Sequence, residues 1–390
     1  DESPPDAGNP EQAPHPSPLE ALTTLLAHPN IASKHWIVRQ YDHEVQGATT
    51  LRPLVGPLGR GPGDASVVEP VPGSDRALAI GCGLATGVGD PDAAGDPYLM
   101  ALGAIDECVR NLVCVGADPD RIAILDNFCW PSCQREDNLA TLVRAAEGCY
   151  DAAKAYRTPF VSGKDSLNNQ FTTESGRTIQ IPPTLLITGI GIVPDLNRCV
   201  TMDAKQTDSD LFLVEPWQGD AMYNPSRLGG SHYQRLFGLP ADARPNPDCG
   251  FDPAQIPAVD LNQCPRVARA VAEAIACGAV AACHDISDGG PLVALAEMLI
   301  AGSTRQRPIG ATFAQRIATP ALFSERPGCY LLEVPRPHVS RFKDLMARLE
   351  AGATWVGRTT DSGRLESRGT RDDSIDVEEL ATAWRGTLDW

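Results

Sequence analysis

The sequence predicts a mixed α/β protein in two units, and two observations carry that expectation. Strands alternate with helices on both sides of a seam at Pro194-Asp195. An apolar run, Ala279 to Ala282, leads through Cys283-His284-Asp285-Ile286-Ser287-Asp288-Gly289-Gly290-Pro291 into a helical stripe of Leu292, Leu295, Ala296 and Leu299. Pro291 suits a first helical turn. Free N–H groups at the positive end of such a helix, roughly half a charge, can hold a phosphate. Asp285 and Asp288 add hard oxygens of the kind that Mg2+ takes beside a nucleotide. The plainer reading of the same residues is a tight turn whose Asp and Ser cap the helix.

A chain of 390 residues with 42% hydrophobic content has room for two or three packed domains. A net charge of −17, spread along the chain, argues against nucleic acid or an anionic membrane as partner, since both require a basic face. The 12 cysteines include no C-x-x-C pair and read as reduced cytosolic thiols rather than a disulfide framework or zinc site. No apolar run of about 18 residues and no signal peptide stand in the sequence, and the expected location is cytoplasmic.

In chain order, residues 1–18 hold six prolines, and residues 1–30 read as a disordered linker. The chain opens on Asp1 rather than Met, which predicts a piece once attached to something upstream. His35 to Gly47 reads as a surface strand and turn. A Gly/Pro-rich loop, Gly56 to Gly63, precedes a short strand from Asp64 to Val68. Another strand, Arg76 to Gly81, runs into a Gly-rich loop, Gly81 to Gly89, which lacks the Gly-Lys-Ser/Thr of a Walker A. Leu99 to Gly116 predicts a helix with Leu102, Ile105, Val109 and Leu112 inward. Glu107 and Asn111 fall one turn apart on its other face, where both can reach one ion.

Ile122 to Leu125 reads as a buried strand ending at Asp126, followed by a helix from Asn138 to about Tyr156. The strand Pro159 to Val161 runs into Ser162-Gly163-Lys164-Asp165-Ser166, a second loop dense in phosphate-type groups. Strands follow at Pro183–Val193, Leu211–Val214, Cys329–Val334 and Thr354–Val356. Helices follow at Arg266–Cys277 and Val339–Leu349, with a surface loop over 240–257. A short acidic helix with Leu380, Trp384 and Leu388 in line closes the chain. The expected units are 31–195, 205–365 and a tail helix within 366–390.

Six stretches carry a family resemblance: Gly63-Asp64-Ala65-Ser66-Val67, Ala104 to Asn111, Leu125-Asp126-Asn127-Phe128, Gly163 to Ser166, Pro183-Thr184, and His284 to Gly290. In this order and spacing they resemble phosphoribosylformylglycinamidine synthase, of the aminoimidazole-ribonucleotide (AIR) synthase superfamily, over about residues 31–390. The resemblance implies an AIR-synthase-like half made of an A and a B domain, and an ATP-dependent C–N ligase of purine biosynthesis. It implies the second of two pseudo-symmetric halves. The first half's catalytic His and its His-Asn-His segment do not stand here, and no Gly-x-Cys-x-Gly glutaminase elbow exists. The missing N-terminal half and a glutaminase domain or subunit are therefore the expected partners.

By position, the resemblance implies that Asp64, Glu107, Asn111 and Asp285 are Mg2+ ligands of an auxiliary ATP/ADP site, with Gly63 and Ser287 touching the nucleotide. It implies ATP contacts at Asp126 and Gly163, and a substrate contact at Ser166. Lys164 stands where relatives carry a metal-binding Asn; a Lys cannot ligate Mg2+, so phosphate pairing is the expectation there. Two alternatives remain at this stage. One is a catalytically silent nucleotide-binding scaffold; the other is a different superfamily enzyme, such as thiamine-monophosphate kinase or a hydrogenase-maturation factor.

Overall fold

The computed structural model describes residues 15–89, 95–216, 227–240, 243, 252, 254–313, 318–367 and 373–388. The expected 240–257 loop and the first fourteen residues lie largely or wholly outside them. The strands are β1 Thr49–Leu51, β2 Leu54–Val55, β3 Gly61–Pro62, β4 Ser66–Val68, β5 Ala77–Leu84, β6 Ile122–Cys129, β7 Phe160–Ser166, β8 Gln170–Thr172, β9 Thr178–Gln180, β10 Thr184–Val193, β11 Ser209–Pro216, β12 Ala282–Asp285, β13 Gly310–Phe313, β14 Tyr330–Pro335, β15 Ala351–Thr360, β16 Arg364–Ser367 and β17 Ser374–Asp376. The helices are α1 Pro18–Leu26, α2 His35–Arg39, α3 Pro97–Cys114, α4 Glu136–Tyr156, α5 His232–Phe237, α6 Cys264–Ala276, α7 Gly290–Gly302, α8 Thr319–Phe323, α9 Val339–Arg348 and α10 Val377–Gly386. The mixed α/β class is as the sequence predicts.

Six strands form one sheet in the order β1-β4-β5-β10-β6-β7, antiparallel except for the β6–β7 pair. Its two faces differ. Along β10, Leu185, Ile187 and Val193 are buried, as are Ala77 and Ala79 of β5, and α3 packs on this side. On the other face Ile190 and Ile80, directly opposed in register, are 43% and 40% exposed, and Leu84 is 48% exposed. This sheet therefore presents an open apolar face.

Seven strands form a second sheet, β12-β14-β11-β15-β13-β16-β17. Strand β11 is buried at every position because both faces are covered. Phe212 and Val214 point to one core with α6 and α9; Leu211 and Leu213 point to another with α1, α7 and α10. Helix α7 lies inside that second core and is apolar nearly all round, not along the single stripe its sequence suggested.

The structure corrects several expectations. Residues 18–26 are not linker but helix α1: Ser17 and Glu20 form a reciprocal capping box, and Leu19, Leu22, Leu25 and Leu26 are buried. His35–Arg39 is helical rather than extended, with a 3-10 turn at Val45–Gly47. Strand β5 continues to Leu84, into the expected Gly-rich loop. Asp126 lies within β6, and Gly163, Lys164 and Ser166 lie within β7, an edge strand and not a loop. The apolar residues 279–281 precede β12, so Cys283, His284 and Asp285 are themselves strand residues. The described cysteines are all free thiols, with Cys108, Cys114, Cys149, Cys264, Cys283 and Cys329 in buried positions. Among the described residues no helix is long and apolar enough to cross a membrane.

Candidate functional site

The carboxyl end of β12 meets the segment before β4. There Asp64 Oδ1 accepts from the Asp285 N–H at 3.0 Å and lies 2.8 Å from His284 Nδ1. His284 Nε2 lies 3.3 Å from Glu297 of α7. Burial opposes charge on this imidazole, yet Asp64 and Glu297 outweigh it and hold its pKa well above the ordinary value. Asp64 Oδ2 is buried and has no hydrogen-bond partner. Asp64, His284 and Asp285 offer ligand atoms within 4.8 Å of one another.

Asp285 does not stand alone. Arg110 of α3 donates from Nη1 to Asp285 Oδ2 and to the Ile286 carbonyl, both at 2.7 Å, and from Nε to Asp106 Oδ2 at 2.8 Å. Asp106 also accepts from the Gly328 N–H at 2.9 Å and from the Tyr156 hydroxyl. Burial raises the Asp285 carboxyl to about 6, with Arg110 opposing and Asp64 adding to the rise. Once these bonds are assigned, Asp64 Oδ2 has no partner and Asp285 Oδ1 has only His284 Nδ1, 3.8 Å away. Two carboxylate oxygens with unspent acceptor capacity, on buried side chains, suit a hard divalent cation.

Glu107 and Asn111 face the same region from α3 but do not join that trio. Glu107 Oε2 accepts from the Leu84 N–H and Oε1 from the Ser287 hydroxyl, both at 2.8 Å. Asn111 Nδ2 donates to the Cys82 carbonyl at 2.8 Å. This is no solvated helix face: burial first, then the Asp285 charge, push the Glu107 carboxyl up to about 8. Gly63 is tied by its N–H to the Pro53 carbonyl, immediately before Asp64.

Glu107, Arg110, Ser287 and Asp288 line a cavity of about 460 Å³ between α3, the end of β5, α5 and residues 29–34. Its far wall holds a group the sequence reading missed. His232 Nδ1 lies 2.9 Å from Glu325 Oε1 and 3.9 Å from Asp288 Oδ1, while Asn30 Nδ2 lies 2.9 Å from His232 Nε2. Asp288 thus groups with His232 and Glu325, not with Asp285 as the sequence suggested. The start of α7 is also less open than expected. The Gly289 N–H donates to Glu325 at 2.8 Å and the Gly290 N–H to the Ser287 carbonyl at 3.0 Å. Gly290, at φ +76°, presses its backbone on Phe323, where a Cβ would come within 2.6 Å.

The second set of expected contacts lies elsewhere, and none of it lines that cavity. Asp126 pairs in register with Gly163, Asn127 with Lys164, and Cys129 with Ser166. A Cβ on Gly163 would meet Asp126 Oδ1 at 2.5 Å, so the carboxylate rests on bare backbone. Partial burial raises the Asp126 carboxyl, opposed by the Lys164 N–H. Lys164 shares a register row with Asn127 and Leu186, on the open face of the sheet.

His284 and Arg110 lie within two of the motif stretches, but the sequence alone assigns no role to either, because their partners Asp64, Glu297 and Asp285 are distant in sequence. An Asp106–Arg110 spacing of four beside the inward-facing Ile105 and Val109 was the available signal.

The family profile described as AIR synthase related protein, N-terminal domain, matches residues 62–193, and its C-terminal domain counterpart matches 218–369. The chain is 34% identical over 381 residues to the phosphoribosylformylglycinamidine synthase subunit PurL of Anaeromyxobacter sp. strain K, covering 95% of this chain and 46% of that protein. It is 33% identical to the PurL of Thermosynechococcus vestitus, covering 97% and 47%. The chain thus spans about half the length of these relatives. Among solved structures, Thermotoga maritima PurL complexed with FGAR superposes at a TM-score of 0.64 and 16% identity, covering 94% of this chain and 54% of that one. The same PurL complexed with ATP gives 0.61 at 15% identity, covering 95% and 53%. The chain belongs to the AIR synthase related protein family and carries its N-terminal and C-terminal domains in tandem.

Proposed function

We propose that this chain is the second half of a phosphoribosylformylglycinamidine synthase, holding a Mg2+–nucleotide and completing an active site with a first half. The observation that carries the reading is that Asp64 and Asp285 meet from distant parts of the chain, leaving a buried Asp64 oxygen without a partner, while Ser287, two residues on, binds Glu107. Asp64 and Asp285 would hold Mg2+, with Glu107 and Asn111 completing the shell and Gly63 and Ser287 touching ATP or ADP. Bound there, Mg2+ supplies neutralisation and orientation of the phosphates. Asp64 and Glu297 favour the charged form of His284, which would offset part of the acid cluster's charge.

In the proposed reaction ATP phosphorylates the formylglycinamide amide oxygen, and ammonia from a glutaminase partner displaces phosphate to give the amidine. Asp126 and Gly163, in the row of buried Ile187, and Lys164 and Ser166, in rows of the open face, would form this half's share of the crevice from the two sides of edge strand β7, with Lys164 pairing a phosphate directly. Lys164 and the exposed isoleucines share one sheet face, which supports a first half seated there. We assign the units as 31–195 and 205–365, with α1 and α10 added to the second.

One observation favours a structural role for the bound nucleotide. The Glu107–Ser287 cavity and the Asp126–Ser166 strip are separate places, so a nucleotide in the first need not react at the second. Complementation tests the reading. The purified chain with ATP, FGAR and ammonia is expected to form no amidine, and to form it once a first half is added. Turnover by the chain alone, or none with the first half, would contradict it.

A further inference from the structure

We propose that Arg110 is the positioning residue of the cation site, fixing Asp285 as a one-oxygen ligand and setting Ser287 against Glu107. The inference rests on the metal–nucleotide reading above and adds to it a residue that acts on the metal through Asp285. One guanidinium makes three bonds in fixed geometry. Its Nη1 takes Asp285 Oδ2 and the Ile286 carbonyl at 2.7 Å each, and its Nε takes Asp106 Oδ2 at 2.8 Å. Both partners in the Arg110–Asp285 pair are only 6% exposed.

Two consequences follow from that geometry. Asp285 Oδ2 is committed, so only Oδ1 is left to face a cation beside Asp64 Oδ2. Holding the Ile286 carbonyl also fixes the next residue, whose hydroxyl donates to Glu107 at 2.8 Å. Behind Arg110, Asp106 is itself clamped by the Gly328 N–H and the Tyr156 hydroxyl, so the fork has a rigid base. Arg suits this place because its planar fork meets several acceptors at once, whereas a Lys ammonium would keep the charge and lose the geometry.

The test compares Mn2+ binding, followed by electron paramagnetic resonance, in the parent chain, Arg110→Lys and Phe342→Leu. Loss of a group that orients a metal ligand typically weakens the metal about 10–100-fold, and Arg110→Lys is expected to do so with a changed Mn2+ line shape. Phe342→Leu truncates a buried ring of α9 that packs on Phe212, outside the Arg110 network. It is expected to lower Tm while keeping Mn2+ affinity within about twofold of the parent. Equal affinity in Arg110→Lys, or an equal loss in Phe342→Leu, would overturn the proposal. A parent chain that binds no Mn2+ would instead overturn the metal reading beneath it. Should Arg110→Lys fail to fold, a crystal structure of the parent soaked in Mn2+ decides. Asp285 bound through Oδ1 with Arg110 in place supports the proposal; a two-oxygen Asp285 with Arg110 displaced contradicts it.

Discussion

Exchanging the exposed isoleucine pair for an ion pair, Ile80→Lys with Ile190→Asp, is expected to leave the isolated chain folded and to abolish its pairing with a first half. The two residues face each other across β5 and β10 on the open side of the first sheet, 40% and 43% exposed. On a solvated antiparallel face an opposed Lys and Asp contribute favourably, so the fold loses little. At a buried interface the same exchange removes two apolar side chains, about 3 kcal/mol together, and adds two charges to desolvate. Association is expected to weaken by at least about a hundredfold. Analytical ultracentrifugation of the mixed halves, with circular dichroism of the chain alone, measures both effects. Unchanged pairing would move the interface off this face.

The second large effect is on stability against pH. Glu107 is raised to about 8 by burial foremost and by the Asp285 charge next. The folded state therefore holds this proton more tightly than the unfolded chain, whose Glu titrates near 4.5. Its contribution to stability is full below about pH 4.5 and is lost as pH rises to about 8. Glu107→Gln keeps an acceptor for the Leu84 N–H and removes the titration. Melting curves of parent and variant without divalent ions should coincide near pH 5. By pH 8.5 the variant should melt a few degrees higher, a difference of the order of 1–2 kcal/mol. Mg2+ should narrow that gap by stabilising the parent more than the variant. A parent whose Tm does not fall relative to the variant over this range would contradict the burial argument.

Much of the fold was legible because its signals are local. The stripe of α3, the apolar run of β10 and the alternation across the seam each follow one periodicity. Only the start of β7 was legible, at Phe160 and Val161, because the rest of this edge strand is exposed and has no apolar pattern to show. Helix α1 escaped for a different reason. The prolines before it suggested linker, although Ser17-Pro18-Leu19-Glu20 spells a capping box ahead of an apolar run.

The site divides in the same way. The motif stretches pointed to the loops that converge, but not to what each side chain does on arrival. Arg110 on Asp285, His284 between Asp64 and Glu297, and Asp288 turned toward His232 are contacts over 13 to 220 residues of sequence separation. Sequence spacing carries no record of such pairs. Asn30 and Lys34 line the cavity only because α1 docks on α7 and α10, which the linker reading hid.

Asp64, Glu107 and Asp285 are proposed to hold a metal-bound nucleotide, and nucleotide release reads this out. The purified chain is denatured and the released small molecules are separated by anion exchange, beside Glu107→Ala and Asp285→Ala. Stoichiometric ADP or ATP from the parent, lost from both folded variants, is the expected result. Nucleotide retained in full by both variants, or none from a parent saturated with Mg2+ and ATP before purification, would contradict it.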